Sequence, residues 1–168
     1  MPLPQYLESL FRHMAWADAR VWRAALAADH DDRTYKLLFH LHQVQHAFLS
    51  VWRGEETPAF KDFSAYPDLE SLAKYAREYH DRVPEHLASV REEDLNEVRE
   101  VTWKRWVVRT IGHEPAPTTL GETMMQVSQH STYHRGQLNA RLRERGIDPP
   151  LTDFIAWLWM GKPAPEWP

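Results

Sequence analysis

TLGETMMQVSQHSTYHRGQLNARLRERG, residues 119–146, reads as one long helix with both of its ends written into it. Thr119 followed three places later by Glu122 is a capping box, in which each side chain satisfies a backbone N–H the helix start would leave bare. Gly146 is the natural stop, because glycine accepts the left-handed conformation in which helices often end. Between these signals Leu120, Met124, Val127, Leu138 and Leu142 fall on one stripe at helical spacing. A helix this long with a single apolar stripe must bury it against other helices, so the stretch predicts a bundle.

Working outward, the chain supplies the partners. Leu3, Leu7, Leu10, Met14, Ala17, Val21, Ala24 and Ala28 recur every three or four residues and predict a first long helix. His30-Asp31-Asp32 interrupts that pattern and offers an Asp N-cap to a second helix over about 32–53, striped by Leu37, Leu41, Val44, Phe48 and Val51 and closed by Gly54. Residues 55–67 read as a loop broken by Pro58 and Pro67. A third helix is expected from Asp68, with Leu69, Leu72, Ala76, Tyr79, Val83 and Val90 on one side and a kink or fresh start at Pro84. The run VREVTWKRWVVRTI, residues 98–111, is rich in β-branched and aromatic residues and is expected to be irregular or a short hairpin. Residues 112–117 form a loop. Pro149-Pro150 separate the long helix from a short last helix, about 152–160, and a proline-rich tail. The fold class is therefore all-α: a four-helix bundle forming a single domain over residues 1–168.

Composition narrows the function. The chain has 168 residues, ten histidines, eight tryptophans and no cysteine. Without cysteine there is no disulfide scaffold, no thiolate metal site and no cysteine nucleophile. A net charge of −4 gives no overall basic surface for nucleic acid. No apolar run approaches the roughly 20 residues of a membrane span, and the N-terminus lacks the pattern of a signal peptide. A soluble cytoplasmic protein is the expectation.

Histidine is the commonest metal-binding side chain and a frequent general base. His42 and His46, and again His130 and His134, stand four apart, which places each pair on one helix face. Spacing alone is weak, since ten scattered histidines give roughly half such a pair by chance. Helical phase discriminates further. On the second helix His40 lies at the edge of the apolar stripe, whereas His42 and His46 lie roughly 140–180° from Leu37 and are expected to face solvent. On the last long helix His130 and His134 share an edge of the stripe. One histidine on helix two and two on helix four therefore have the phase to converge, leaving an open position of the kind catalytic metal sites keep. Taken singly, a histidine at a core edge more often packs than ligates, and the pair reads equally either way. His13, His30, His80, His86 and His113 are expected on the surface or in loops. No Glu-x-x-His occurs for a di-iron site and no His-Glu-x-x-His for a zincin.

Gln129-His-Ser-Thr-Tyr-His-Arg-Gly-Gln137, with Leu142-Arg-Glu-Arg-Gly146 and Pro149-Pro150-Leu-Thr-Asp153 after it, is similar to the closing motif of the DinB-like family. That family shares its fold with the YfiT-like metal-dependent hydrolases and thiol transferases. The resemblance extends to Arg12-His-Met-Ala-Trp16-Ala-Asp18 and to the run from His40 to Leu49, and so covers nearly the whole chain; residues 98–111 match no signature of it. It implies an up-down-down-up bundle, often dimeric, holding a divalent metal on three histidines, which map to His40, His130 and His134. Nitrogen ligands suit zinc or nickel. The resemblance points to a transferase in which the metal activates a low-molecular-weight thiol against a small electrophile. The attacking group is then external, because the chain has no thiol. A metal-dependent hydrolase, whose metal lowers the pKa of a water to about 7, and a metal-binding stress protein without turnover are the alternatives. Gln137 is one turn from His134 and placed to orient it. Arg135 either supports the site or pairs with an acid across the bundle or at a dimer contact. Trp16, Trp52, Trp103 and Trp106 are candidates to line the pocket or to fill the core.

Overall fold

Three of the four long helices begin where a side-chain oxygen caps the backbone. The computed structural model describes residues 2–56 and 60–168; Pro58 lies outside them. Helix α1 spans Leu3–Leu26. Helix α2, Asp32–Trp52, starts at Asp31, whose carboxylate accepts from the Thr34 N–H. Helix α3, Leu69–Ser89, starts at Asp68, which accepts from the Ser71 N–H. It runs through Pro84 without a break. The short α4 is Arg105–Ile111, and α5, Leu120–Glu144, carries both halves of the capping box between Thr119 and Glu122. Gly146 turns with φ +73, which lets the Ile147 N–H reach back to the Leu142 carbonyl at 3.0 Å. A final helix, α6, covers Phe154–Trp159.

The contacts fix the direction of each helix. The Tyr35 hydroxyl bonds the carbonyl of Tyr66 just before α3, and His46 bonds the carbonyl of Tyr75 within it, so α2 and α3 run parallel. Trp52 meets Thr123 at one end of α5 while Asp31 meets Arg141 at the other, so α2 and α5 are antiparallel. Asp18 bonds Arg135 and the Asp29 carbonyl bonds Arg145, so α1 and α5 are parallel. The bundle is up-down-down-up, as the resemblance implied. α5 packs on both α1 and α2, and α3 packs on the same two helices.

The segment at 98–111 is not a hairpin. Strand β1, Val98–Arg99, pairs antiparallel with β2, Thr118–Thr119, some twenty residues away, with Val98 opposite Thr119. The residues between form a turn and α4, which ends at Gly112 with φ +79. β-propensity describes fit to a pleated, half-buried surface. The run has no turn dipeptide to fold it back on itself; Val98 pairs with a distant strand, and Val107 and Val108 go into α4.

The apolar interior is divided in two. Leu7, Phe11, Met14, Leu49, Trp52 and Met124 belong to one cluster, and Val21, Trp22, Leu38, Leu41, Leu72 and Leu138 to the other. A polar layer lies between them. Outside the bundle, α6 is tied to α1 by Trp157, which is fully buried against Trp16 and Ala17. The ring of His13 bonds the Thr152 carbonyl at 2.9 Å and packs against Phe154. His13 is thus an anchor for the C-terminal segment, not the surface residue expected. Among the described residues no helix is long and apolar enough to cross a membrane.

Candidate metal centre

The polar layer takes one or more side chains from each long helix of the bundle. Asp18 of α1 is 1% exposed. Its carboxylate accepts from Arg135 Nη1 at 2.8 Å, Gln45 Nε2 at 2.9 Å and His80 Nε2 at 3.0 Å. Gln45 also donates to Ser131 Oγ at 3.0 Å. The indole N–H of Trp22 can only donate, so His42 Nε2 accepts it at 2.8 Å, and His42 Nδ1 therefore carries the proton it gives to Gln45 Oε1 at 2.7 Å. Burial pushes the Asp18 carboxyl up, but the Arg135 charge and the His80 hydrogen bond outweigh it and hold the group below the usual carboxylate range. Burial pushes His42 down to about 3, so it is neutral at pH 7.

His42 and His46 are buried, contrary to the solvent-facing position that helical phase predicted. The residues that α2 buries most deeply, Leu38, Leu41, His42, Gln45 and Leu49, centre roughly 115° away from the stripe of Leu37, Val44 and Val51. A stripe drawn through apolar residues misses a face whose middle is polar but internally satisfied. His80 is buried too, against the same expectation. Asp18, His42 and His80 bring ligand-type atoms within 4.8 Å of one another. The Asp18 oxygens and His42 nitrogens are already engaged in the hydrogen bonds above, so this triplet reads as a structural network.

The second cluster is different in kind. His40 on α2 and His130 and His134 on α5 each offer a ring nitrogen within 4.8 Å of the others. His40 is exposed and the other two are half-buried. The Nε2 atoms of His130 and His134 are 3.1 Å apart. Nitrogens held about 2.0–2.1 Å from one tetrahedral ion lie roughly 3.3 Å from each other, so this spacing fits ligands to a shared cation. His134 Nδ1 lies 2.8 Å from Gln137 Oε1; with the proton on Nδ1, its Nε2 lone pair faces the cluster. His130 Nδ1 is buried with no hydrogen-bond partner among the described residues. Burial, and then the neighbouring His134 and His40, push His130 down to about 4. Burial likewise lowers His40 and His134. All three are neutral near pH 7, the state in which imidazole can donate a lone pair. The donor set fits a divalent ion.

The other anticipated residues lie elsewhere. Arg135 points inward to Asp18, the cross-bundle pairing of the two roles considered. Trp16 packs against Trp157 and beneath Arg20. Trp52 donates to Thr123 Oγ1 at 3.0 Å and lines a different hollow, with Arg53, Glu85 and His86. Trp103 meets Phe48 edge-on, and Trp106 packs on Phe60 with more than half its surface exposed. Sequence reasoning passed over Gln45 and Asp18. Asp18 carried a signal, an acid within the largely apolar run from Met14 to Trp22; Gln45, among polar neighbours, carried none.

The matches to known proteins fall on this architecture. A stretch of 45 residues is 42% identical to Protein DinB of Bacillus subtilis (strain 168), covering 27% of this chain and 26% of that protein. The chain therefore aligns with about a quarter of that relative's length. The family model described as the DinB family matches residues 1–166, which takes in all six helices and the three convergent histidines. The chain belongs to the DinB family.

Proposed function

We propose that His40, His130 and His134 hold a divalent metal ion, zinc or nickel, and that the protein is a metal-dependent transferase using a small-molecule thiol. The observation that carries this reading is the convergence of three neutral imidazoles from two helices, with two Nε2 atoms 3.1 Å apart. A divalent ion held there supplies Lewis acidity, lowering the pKa of a thiol or water beside it. Gln137 fixes the His134 ring, and the Asp18–Arg135 pair holds the inner face of α5 so that both its histidines stay turned towards His40. Three protein nitrogens leave a coordination position for substrate. The chain has no cysteine, so the thiol must come from solution. In this reading the protein acts in the cytoplasm, as a homodimer, on a small electrophile.

The test is elemental analysis of the purified protein and of His40→Ala, His130→Ala and His134→Ala, followed by turnover assays with electrophiles and several thiols. Loss of metal from each single variant is expected. Full retention in all three would remove the ligand assignment. Bound metal without turnover under any thiol would leave a metal-binding protein and remove the transferase.

A further inference from the structure

We infer that a second small-molecule site lies between α1 and α3, on a different pair of helices from the three-histidine cluster, and that it takes an apolar aromatic compound bearing a hydroxyl or N–H donor. A cavity of about 630 Å³ opens there, a size that suits a small ligand. Its walls are mainly apolar, with Phe11, Ala15, Val83 and Leu87 from the two helices and Trp167 from the C-terminal tail. The tail is fastened across the opening by the ion pair of Glu166 with Arg23 at 2.7 Å and by Trp167, whose ring lies 5.1 Å from that of His80.

Of its polar lining residues, which also include Gln5, Glu8, Arg12, Arg77 and Asp81, His80 is the buried one. His80 lines it and is itself 8% exposed. Its Nε2–H is committed to the Asp18 carboxylate at 3.0 Å. With Nε2–H given to Asp18, the neutral ring leaves Nδ1 as an acceptor, and Nδ1 makes no hydrogen bond among the described residues. Pro84, also in the lining, stands four residues after His80 inside α3. A proline has no N–H, so the His80 carbonyl is denied its α-helical partner. A ring nitrogen thus meets the cavity as an acceptor, beside a carbonyl whose α-helical donor Pro84 removes. A ligand that brings a donor into this space pairs with that nitrogen where an apolar wall excludes most of the competing water. An aromatic body matches Phe11 and Trp167.

The probe is 4-propylphenol, with 4-propylanisole as a control of similar shape whose oxygen cannot donate. Titration calorimetry should show the phenol binding and the ether at least tenfold weaker. The ¹⁵N resonance of His80 Nδ1 should move upfield with the phenol only. Ala15→Leu, which fills the cavity, and His80→Phe should each lose the binding while circular dichroism shows the fold retained. If His80→Phe does not fold, Ala15→Leu and the resonance shift decide. His40→Ala should bind the phenol as the parent does, which separates this site from the proposed metal centre. Equal affinity for phenol and ether would overturn the donor requirement. Absence of binding, or unchanged binding in Ala15→Leu, would overturn the site.

Discussion

Asp18 is the residue on which the interior depends most, and Asp18→Asn tests that. The carboxylate accepts three hydrogen bonds, from Arg135, Gln45 and His80, at 2.8–3.0 Å. Asparagine has nearly the same shape, so no cavity opens. Its single oxygen can keep the Arg135 contact, but its NH₂ then faces the N–H groups of Gln45 and His80, donor against donor. The Arg135 side chain, 3% exposed, also loses its counter-charge. Breaking a buried ion pair from one side costs about 3–5 kcal/mol, a large share of the roughly 5–15 kcal/mol that stabilises a domain. At roughly 2–4 °C per kcal/mol for a chain of this size, Tm should fall by about 8–16 °C for a loss near 4 kcal/mol. The assay is thermal unfolding followed at 222 nm with chelator present, so that metal does not contribute. Asp18→Asn combined with Arg135→Met removes the stranded charge and should recover part of the loss. A single-variant loss below about 1 kcal/mol, or a double variant as unstable as the two singles added together, would refute the coupling argued here.

Two further outcomes follow from the same geometry. His46 is pushed down to about 4, first by burial, with the Tyr75 carbonyl opposing, and His42 to about 3. A folded pKa below the unfolded value of about 6.5 means that the unfolded chain takes up the proton first. Their contribution is intact above pH 6.5 and shrinks as pH falls towards 4 and 3. Each should cost about 2 kcal/mol between pH 7.5 and pH 5 in urea unfolding, and a His46→Gln variant whose slope matched the parent would exclude His46 as a source. Gln137→Ala frees the ring of His134 and should weaken metal affinity by about 10–100-fold with little change in metal-free Tm; unchanged affinity in a metal titration would exclude that orienting role.

How far the sequence could be read depended on whether a buried face was apolar. On α5, Leu120, Met124, Val127, Leu138 and Leu142 are each at most 1% exposed, and the stripe through them is right in phase. The edge position of His130 and His134 followed from it. On α2 the same reasoning located His40 but turned His42 and His46 outward. There the helix buries Gln45 and His42 at its centre, and their burial is tolerable only because Asp18, Ser131 and Trp22 meet them from other helices. Those partners lie 20 to 86 residues away in the chain, so no local pattern could supply them. Residues 98–111 failed for a related reason. The strand partner of Val98 is Thr119, outside the window in which a hairpin was sought.

The polar layer and the histidine cluster are linked through the phase of one helix. Ser131 and Arg135 immediately follow His130 and His134, roughly 100° further round α5. Gln45 grips Ser131, and Asp18 grips Arg135. Both contacts are directional, and a rotation of α5 large enough to turn either histidine away from His40 would break at least one of them in a place water cannot reach. An apolar layer would hold α5 almost as firmly against translation but less firmly against rotation, because leucines slide between neighbouring holes at small cost and a buried carboxylate does not release a guanidinium cheaply. The interior thus carries charged and amide groups at the level of the chain where His130 and His134 face His40. The residues that set the aim of the cluster are not the residues that form it.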